Sequence, residues 1–330
     1  MIDRKFTLVA ILALALLALP LAAGAQQAEK VYRISFLGLA PGKDVASTMN
    51  AFRERLRELG YIEGKNLIFE YRSAEGRQER LTELATELAR ARPDVLIAGG
   101  GTLAPLALKG VTTTIPIVFA SVGDPVGAGV VASLARPGGN ITGLTGQQTE
   151  LAGKRLQLLR DLIPGSQLIA VLMNLATPFT MLALKETRAA AELLHVRLEI
   201  LELKTGDQVA GRVEAAIKAG AAGMIVFEDP LTYAIRQQIS DLAAKFRLPT
   251  MYGDRDYAEA GGLISYGPDR HEMIRKVAEY ADKILKGAKP ADLSVQQPTK
   301  FELVFNAKTA KSLRLTIPQS LLLQADQVIK

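Results

Sequence analysis

From Val31 onward the chain alternates two hydrophobic patterns: short continuous apolar runs, and longer stretches whose apolar residues recur every three to four positions. Residues 31–39 form an apolar run that ends at Ala40-Pro41-Gly42. Residues 45–59 then place Met49, Phe52, Leu56 and Leu59 on one helical face, with Gly60 as the stop. Residues 67–71 alternate as a strand, and 78–91 return to helical spacing with Leu81, Leu84, Ala85 and Leu88 aligned. A buried strand over 95–98 runs into Gly99-Gly100-Gly101-Thr102, a short helix covers 103–109, and a strand covers 115–120. Strands that read as unbroken Val/Ile/Leu runs between amphipathic helices predict a parallel sheet covered on both faces. Connections of this length allow right-handed crossovers.

The order then repeats. Strands are predicted over 168–173, 197–203, 223–227 and 249–252, and helices over 181–194, 209–219 and 235–246. The predicted fold class is therefore α/β, with two doubly wound parallel-sheet lobes in tandem. The segment 140–146 between them is short. The tail breaks the rhythm: a helix over 271–285, a polar proline-marked stretch over 287–297, a strand over 301–305 and a short helix over 308–313. A chain that completes two lobes and continues in this way weaves back across the junction.

The start of the chain changes the picture of where the protein works. Asp3, Arg4 and Lys5 precede an uncharged apolar run over 6–19, then Pro20 and the small residues Ala23-Gly24-Ala25. That is the order of a secretory signal peptide. Its apolar run of 14 residues is shorter than the roughly 20 that span a bilayer. Cleavage is expected after Ala25, with the mature protein in the periplasm. No cysteine is present, which excludes a disulfide scaffold, a thiol nucleophile and attachment through a lipidated N-terminal cysteine. The net charge of +6 is scattered, without the basic clusters and interleaved aromatics of a nucleic-acid surface.

In open parallel sheets, ligands bind beyond the carboxyl ends of the strands. Reading those ends gives Ala40, Ser73, Gly101, Thr102, Ser121 and Asp124 in the first lobe, and Asn174, Thr177, Asp229, Tyr252 and Asp254 in the second. Gly101-Thr102 at a helix start offers free N–H groups and a hydroxyl to an anion, although Thr is also an ordinary N-cap. Asp229 and Asp254 suit an ammonium or ligand hydroxyls. Capping is the plainer role for both, and Asp229-Pro230 fits a helix start. Gly127-Ala128-Gly129 matches the glycine spacing of a dinucleotide loop but lies beyond the fourth strand instead of in the first βα turn. The two histidines, His195 and His271, belong to no spaced ligand set, so neither a metal nor another cofactor is expected. No nucleophile-elbow sequence appears, and no enzymatic activity is expected.

Several stretches resemble the ABC transporter substrate-binding protein family, which includes tryptophan-binding types and shares the architecture of type I periplasmic binding proteins. They are Arg57-Glu58-Leu59-Gly60-Tyr61, Glu70-Tyr71-Arg72-Ser73-Ala74-Glu75-Gly76, Val122-Gly123-Asp124-Pro125-Val126-Gly127, Ala135-Arg136-Pro137-Gly138-Gly139-Asn140, Ala260-Gly261-Gly262-Leu263 and Gln297-Pro298-Thr299-Lys300-Phe301-Glu302. The resemblance implies a three-segment hinge near 140–144, 264–268 and 296–301. One lobe would then comprise 26–143 plus about 268–297, and the other 144–267 plus about 298–330. It places the ligand cleft between the lobes, and Thr102 and Ser121 opposite Asp229 and Asp254 point to a small carboxylate-bearing, amino-acid-like ligand held there by hinge closure. The expected partner is an ABC permease in the inner membrane with its cytoplasmic ATPase, served by a monomer. A sensor-type binding protein, an exported α/β enzyme and a sugar-binding regulator of related fold are the alternatives. The regulator would need a DNA-binding helix-turn-helix where this chain has a leader.

Overall fold

Five parallel strands make the first sheet of the computed structural model, which describes residues 30–99 and 101–330. The leader reading over 1–25 lies outside the described residues. The strands are β1 (Tyr32–Gly38), β2 (Leu67–Ser73), β3 (Val95–Ala98), β4 (Ile117–Val122) and β5 (Ile141–Thr145), in the order β2-β1-β3-β4-β5. Ile34, Val95, Leu96, Ile97, Ile117 and Val118 are completely buried, as expected for a sheet covered on both faces. Helices α1 (Ala46–Glu58), α2 (Leu81–Arg90) and α3 (Leu103–Val111) provide the cover. The strand order reverses between β1 and β3, so the loops that follow them diverge and leave a crevice.

The second sheet holds seven strands, β6 (Leu168–Asn174), β7 (Arg197–Leu203), β8 (Gly223–Val226), β9 (Thr250–Tyr252), β10 (Ile264–Pro268), β11 (Phe301–Asn306) and β12 (Gln327–Ile329). Their order is β12-β11-β10-β9-β8-β6-β7. All neighbours are parallel except β10 and β11, which run antiparallel with Ser265 opposite Val304. Its helices are α4 (Gln148–Leu162), α5 (Pro178–Leu193), α6 (Val209–Lys218), α7 (Pro230–Ala234), α8 (Arg236–Lys245) and α9 (Arg255–Glu259). The two α/β lobes expected from the alternating pattern are present. The antiparallel β11 departs from a purely parallel sheet because the chain re-enters this lobe from the junction side.

Three segments connect the sheets. β5 runs into α4, and β10 runs into α10 (Arg270–Leu285). The third passes residue 296 into β11, where Thr145 donates its N–H to the Gln296 carbonyl and Gln296 donates to Gly143. Helix α10 packs on the first lobe: Arg55 of α1 pairs with Glu279 at 2.7 Å, and the Tyr61 hydroxyl donates to Asp282 at 2.9 Å. Two short C-terminal helices, α11 (Ala307–Ser312) and α12 (Gln319–Leu322), complete the second lobe.

Helix α6 yields a stability prediction. Gly211 lies on its exposed face, and a Cβ there would meet nothing within 4 Å. Alanine removes the backbone-entropy penalty of a helical glycine. Gly211→Ala is expected to raise the unfolding free energy by about 0.5–1 kcal/mol in urea titration.

Candidate functional site

The carboxyl ends of the strands of both sheets face each other across one cleft of about 920 Å³, solvent at its mouth included. Its first-lobe wall is largely apolar, with Phe36, Leu39, Val45, Met49 and Tyr71 joined by Met273 and Ile274 from α10. Its second-lobe wall carries Glu228, Asp229, Tyr233 and Asp254. The walls touch: Gly101 adopts φ +82°, and a Cβ on it would lie 3.2 Å from Pro230 Cδ across the cleft. Glycine meets both demands, the left-handed backbone and the close approach.

Of the residues expected from strand ends, Ala40, Gly101, Ser121, Asp229 and Asp254 line this cleft. The others sit behind it or beside it. Ser73 donates its hydroxyl to the Ala40 carbonyl at 2.8 Å and accepts from the Glu75 N–H at 2.9 Å, which consumes it in a turn. Asp124 accepts from the Gly127 N–H at 2.8 Å. Asn174 and Thr177 are fully buried and both donate to Asp229 Oδ2, Thr177 at 2.9 Å. Tyr252 is buried in the second-lobe core, stacked on Tyr257 with centroids 4.9 Å apart. Thr102 is buried at the start of α3, and its hydroxyl neither caps the helix nor bonds elsewhere among the described residues.

Asp229 closes a capping box at the start of α7, accepting from the Thr232 N–H at 2.8 Å while Thr232 Oγ1 accepts from the Asp229 N–H. With Asn174 and Thr177 on its other oxygen, both carboxyl oxygens are engaged within the second lobe. Burial pushes this carboxyl up, against the donors that favour its anion. Asp254 caps α9 through the Asp256 N–H at 2.9 Å and accepts from Arg270 at 3.1 Å. Burial raises it too, opposed first by Arg270.

Two cleft-side groups, Arg155 and Arg270, carry no strand-end signal. Arg155 of α4 is only 1 % exposed; it donates to the Tyr266 carbonyl at 2.8 Å, to Glu228 Oε2 at 3.1 Å and to Gln148 Oε1 at 2.5 Å. Gln148 and Glu228 both face the cleft, so one buried guanidinium holds two of its polar side chains. Burial raises the Glu228 carboxyl, with Arg155 the main opposing influence, and its Oε1 accepts no hydrogen bond. A clue to Arg155 was present in the sequence: it falls on the helical stripe of Leu151, Ala152, Leu156 and Leu159, where a cation has no place without a buried partner. Arg270, at the start of α10, follows a proline and a cap residue and has no comparable signature.

Among the described residues, no group of three or more His, Asp or Glu side chains is arranged to hold a metal ion. No helix among them is long and apolar enough to cross a membrane.

Comparison with known proteins places this architecture. A tyrosine-binding protein of Clostridioides difficile is 25% identical over 286 residues, which is 86% of this chain and 81% of that protein. A conserved domain protein of Vibrio cholerae superposes with a TM-score of 0.85 at 26% identity, covering 91% of this chain and all of the other. The ABC domain of Streptococcus pneumoniae in complex with L-Trp superposes with a TM-score of 0.81 at 25% identity, covering 90% and 100%. The first of these is named for binding tyrosine, and the third carries a bound amino acid. The sequence model of the family described as ABC transporter substrate binding protein matches residues 40–329, and the chain belongs to that family.

Proposed function

We propose that this chain is the extracytoplasmic binding component of an ABC importer and captures a small carboxylate-bearing, amino-acid-like ligand between its lobes by hinge closure. The observation that carries this reading is one cleft lined from both lobes, apolar and aromatic on the first and rich in carboxyl groups on the second. Such walls suit a ligand with an apolar or aromatic body and a polar, partly cationic end. The relatives that bind tyrosine or carry L-Trp favour the same class. A ligand that touches both walls binds the closed form better than the open one, and this difference shifts the population toward closure. In this reading the lobes comprise 26–143 with about 268–297, and 144–267 with about 298–330. Residues 1–25 direct export to the periplasm, and the closed monomer docks on a permease.

A thermal-shift screen of the purified protein against amino acids, nucleosides and sugars tests the ligand class. Ligand at a hundredfold excess over its dissociation constant adds about 2.7 kcal/mol to the folded state. Aromatic or large aliphatic amino acids are expected to raise the melting temperature, and small-angle scattering is expected to record compaction with the same compound. Stabilisation by sugars or nucleosides alone would discard the amino-acid class. A tight ligand without compaction would discard hinge closure.

A further inference from the structure

We infer that Arg270 is the residue of the cleft that recognises the ligand's carboxylate. This rests on the amino-acid-like ligand proposed above and adds the group that reads its anionic end. Among the described residues lining the cleft, Arg270 is the only cation. Its position is locally unfavourable, because it is the first residue of a 16-residue helix, where the macrodipole disfavours positive charge. A residue that breaks a local rule without benefit to its own helix points to a role in the site.

The guanidinium is held on three sides. Nη1 donates to Asp254 at 3.1 Å, Nε donates to Thr48 Oγ1 at 3.3 Å, and Cζ lies over the Tyr233 ring, 4.3 Å from its centroid. Thr48 belongs to the first lobe and Tyr233 and Asp254 to the second, so the group is fixed by both walls at once. Among the described residues, Nη2 donates to nothing. A guanidinium immobilised through Nε, Nη1 and one face, with Nη2 donors left over, is prepared to bind a carboxylate at little further entropic cost. Binding there would also tie the ligand to the group that already joins the lobes.

The competing role for Arg270 is a clasp between lobes that never touches ligand. The two roles differ in one observable. A clasp strengthens binding of every ligand alike, whereas a carboxylate reader separates an acid from its amide.

Calorimetric titration of the purified protein with L-tyrosine, L-tryptophan, L-phenylalanine and L-leucine, each beside its primary amide, distinguishes them. In the parent, the acid that binds is expected to bind about a hundredfold tighter than its amide. Arg270→Gln is expected to bring the two within about threefold of each other, and Arg270→Lys, which keeps charge but loses the fork, to retain roughly tenfold. An undiminished acid-to-amide ratio in Arg270→Gln overturns the assignment while leaving the amino-acid reading intact. Equal parent affinities for acid and amide overturn the assignment and the carboxylate part of the proposed ligand, and leave only its amino-acid-like body standing. Failure of every acid and amide to bind overturns the assignment together with the amino-acid class.

Discussion

Replacing Arg155 with leucine is expected to lower the unfolding free energy by about 3–5 kcal/mol, the cost of breaking a buried ion pair from one side. The residue is 1 % exposed and donates to three acceptors that have no other cationic partner: the Tyr266 carbonyl, Gln148 and Glu228. Leucine strands all three, and the Glu228 carboxylate is the most expensive because it would be an uncompensated buried charge. Urea unfolding reads the loss. The deficit has a pH signature. Burial already raises the Glu228 carboxyl above the ordinary carboxylate range, with Arg155 the chief opposing influence. Without Arg155 the folded-state value rises further, so the folded protein holds a proton more tightly than the unfolded chain. The stability tied to that proton is present at low pH and is lost as pH rises through the folded-state value. The gap between Arg155→Leu and parent is therefore expected to narrow as the titrations move from pH 7 toward pH 5. Adding Glu228→Leu is expected to restore part of the loss, since the Tyr266 and Gln148 acceptors stay unpaired. A single variant within about 1 kcal/mol of the parent at pH 7 would mean that solvent reaches this network.

The arginine network also marks where sequence reading stops. The alternation of apolar runs and helical stripes located most strands and helices, because burial on both faces of a parallel sheet writes itself into continuous apolar segments such as 95–98 and 168–173. The same logic located the cleft in general terms, at strand carboxyl ends. It left 141–145 as a bare junction, although this is β5, because Thr142, Gly143 and Thr145 interrupt the apolar run. Helix α4 also went unread, its stripe broken by Gln148 and Arg155. At the cleft, residue type at a strand end proved ambiguous between capping and binding. Asp229 has both oxygens bound inside its own lobe, whereas Thr102 makes no cap at all. Arg270 and Tyr233 reach the cleft from elements whose orientation depends on how the two lobes meet, and a single chain's pattern does not encode that.

Gly267→Ala tests how tightly the sheet is closed beneath the hinge. A Cβ on Gly267 would lie 1.8 Å from the Gly253 carbonyl oxygen and 3.4 Å from Arg155 Nη2. A Cβ on Gly253 would in turn lie 1.9 Å from Glu228 Oε1. The two glycines therefore bring β10 and the end of β9 close enough to enclose the guanidinium network, and the obstructing atom is backbone, which cannot rotate away. A methyl there must separate the strands, and the expected cost is about 3 kcal/mol or more. The displacement falls three residues before Arg270 on the segment that crosses between lobes, so ligand affinity is expected to drop with stability. Gly211→Ala provides the contrast: the same methyl, placed where nothing opposes it, should stabilise the protein and leave affinity unchanged. Urea titration and calorimetry of both variants decide the matter. If Gly267→Ala lies within about 0.5 kcal/mol of the parent, as surface substitutions do, the junction yields easily, and the cleft's charged groups are not held by close packing at this crossing. A large loss of stability with unchanged affinity would separate the two roles and leave the second-lobe sheet, not the hinge, as the place where these glycines act.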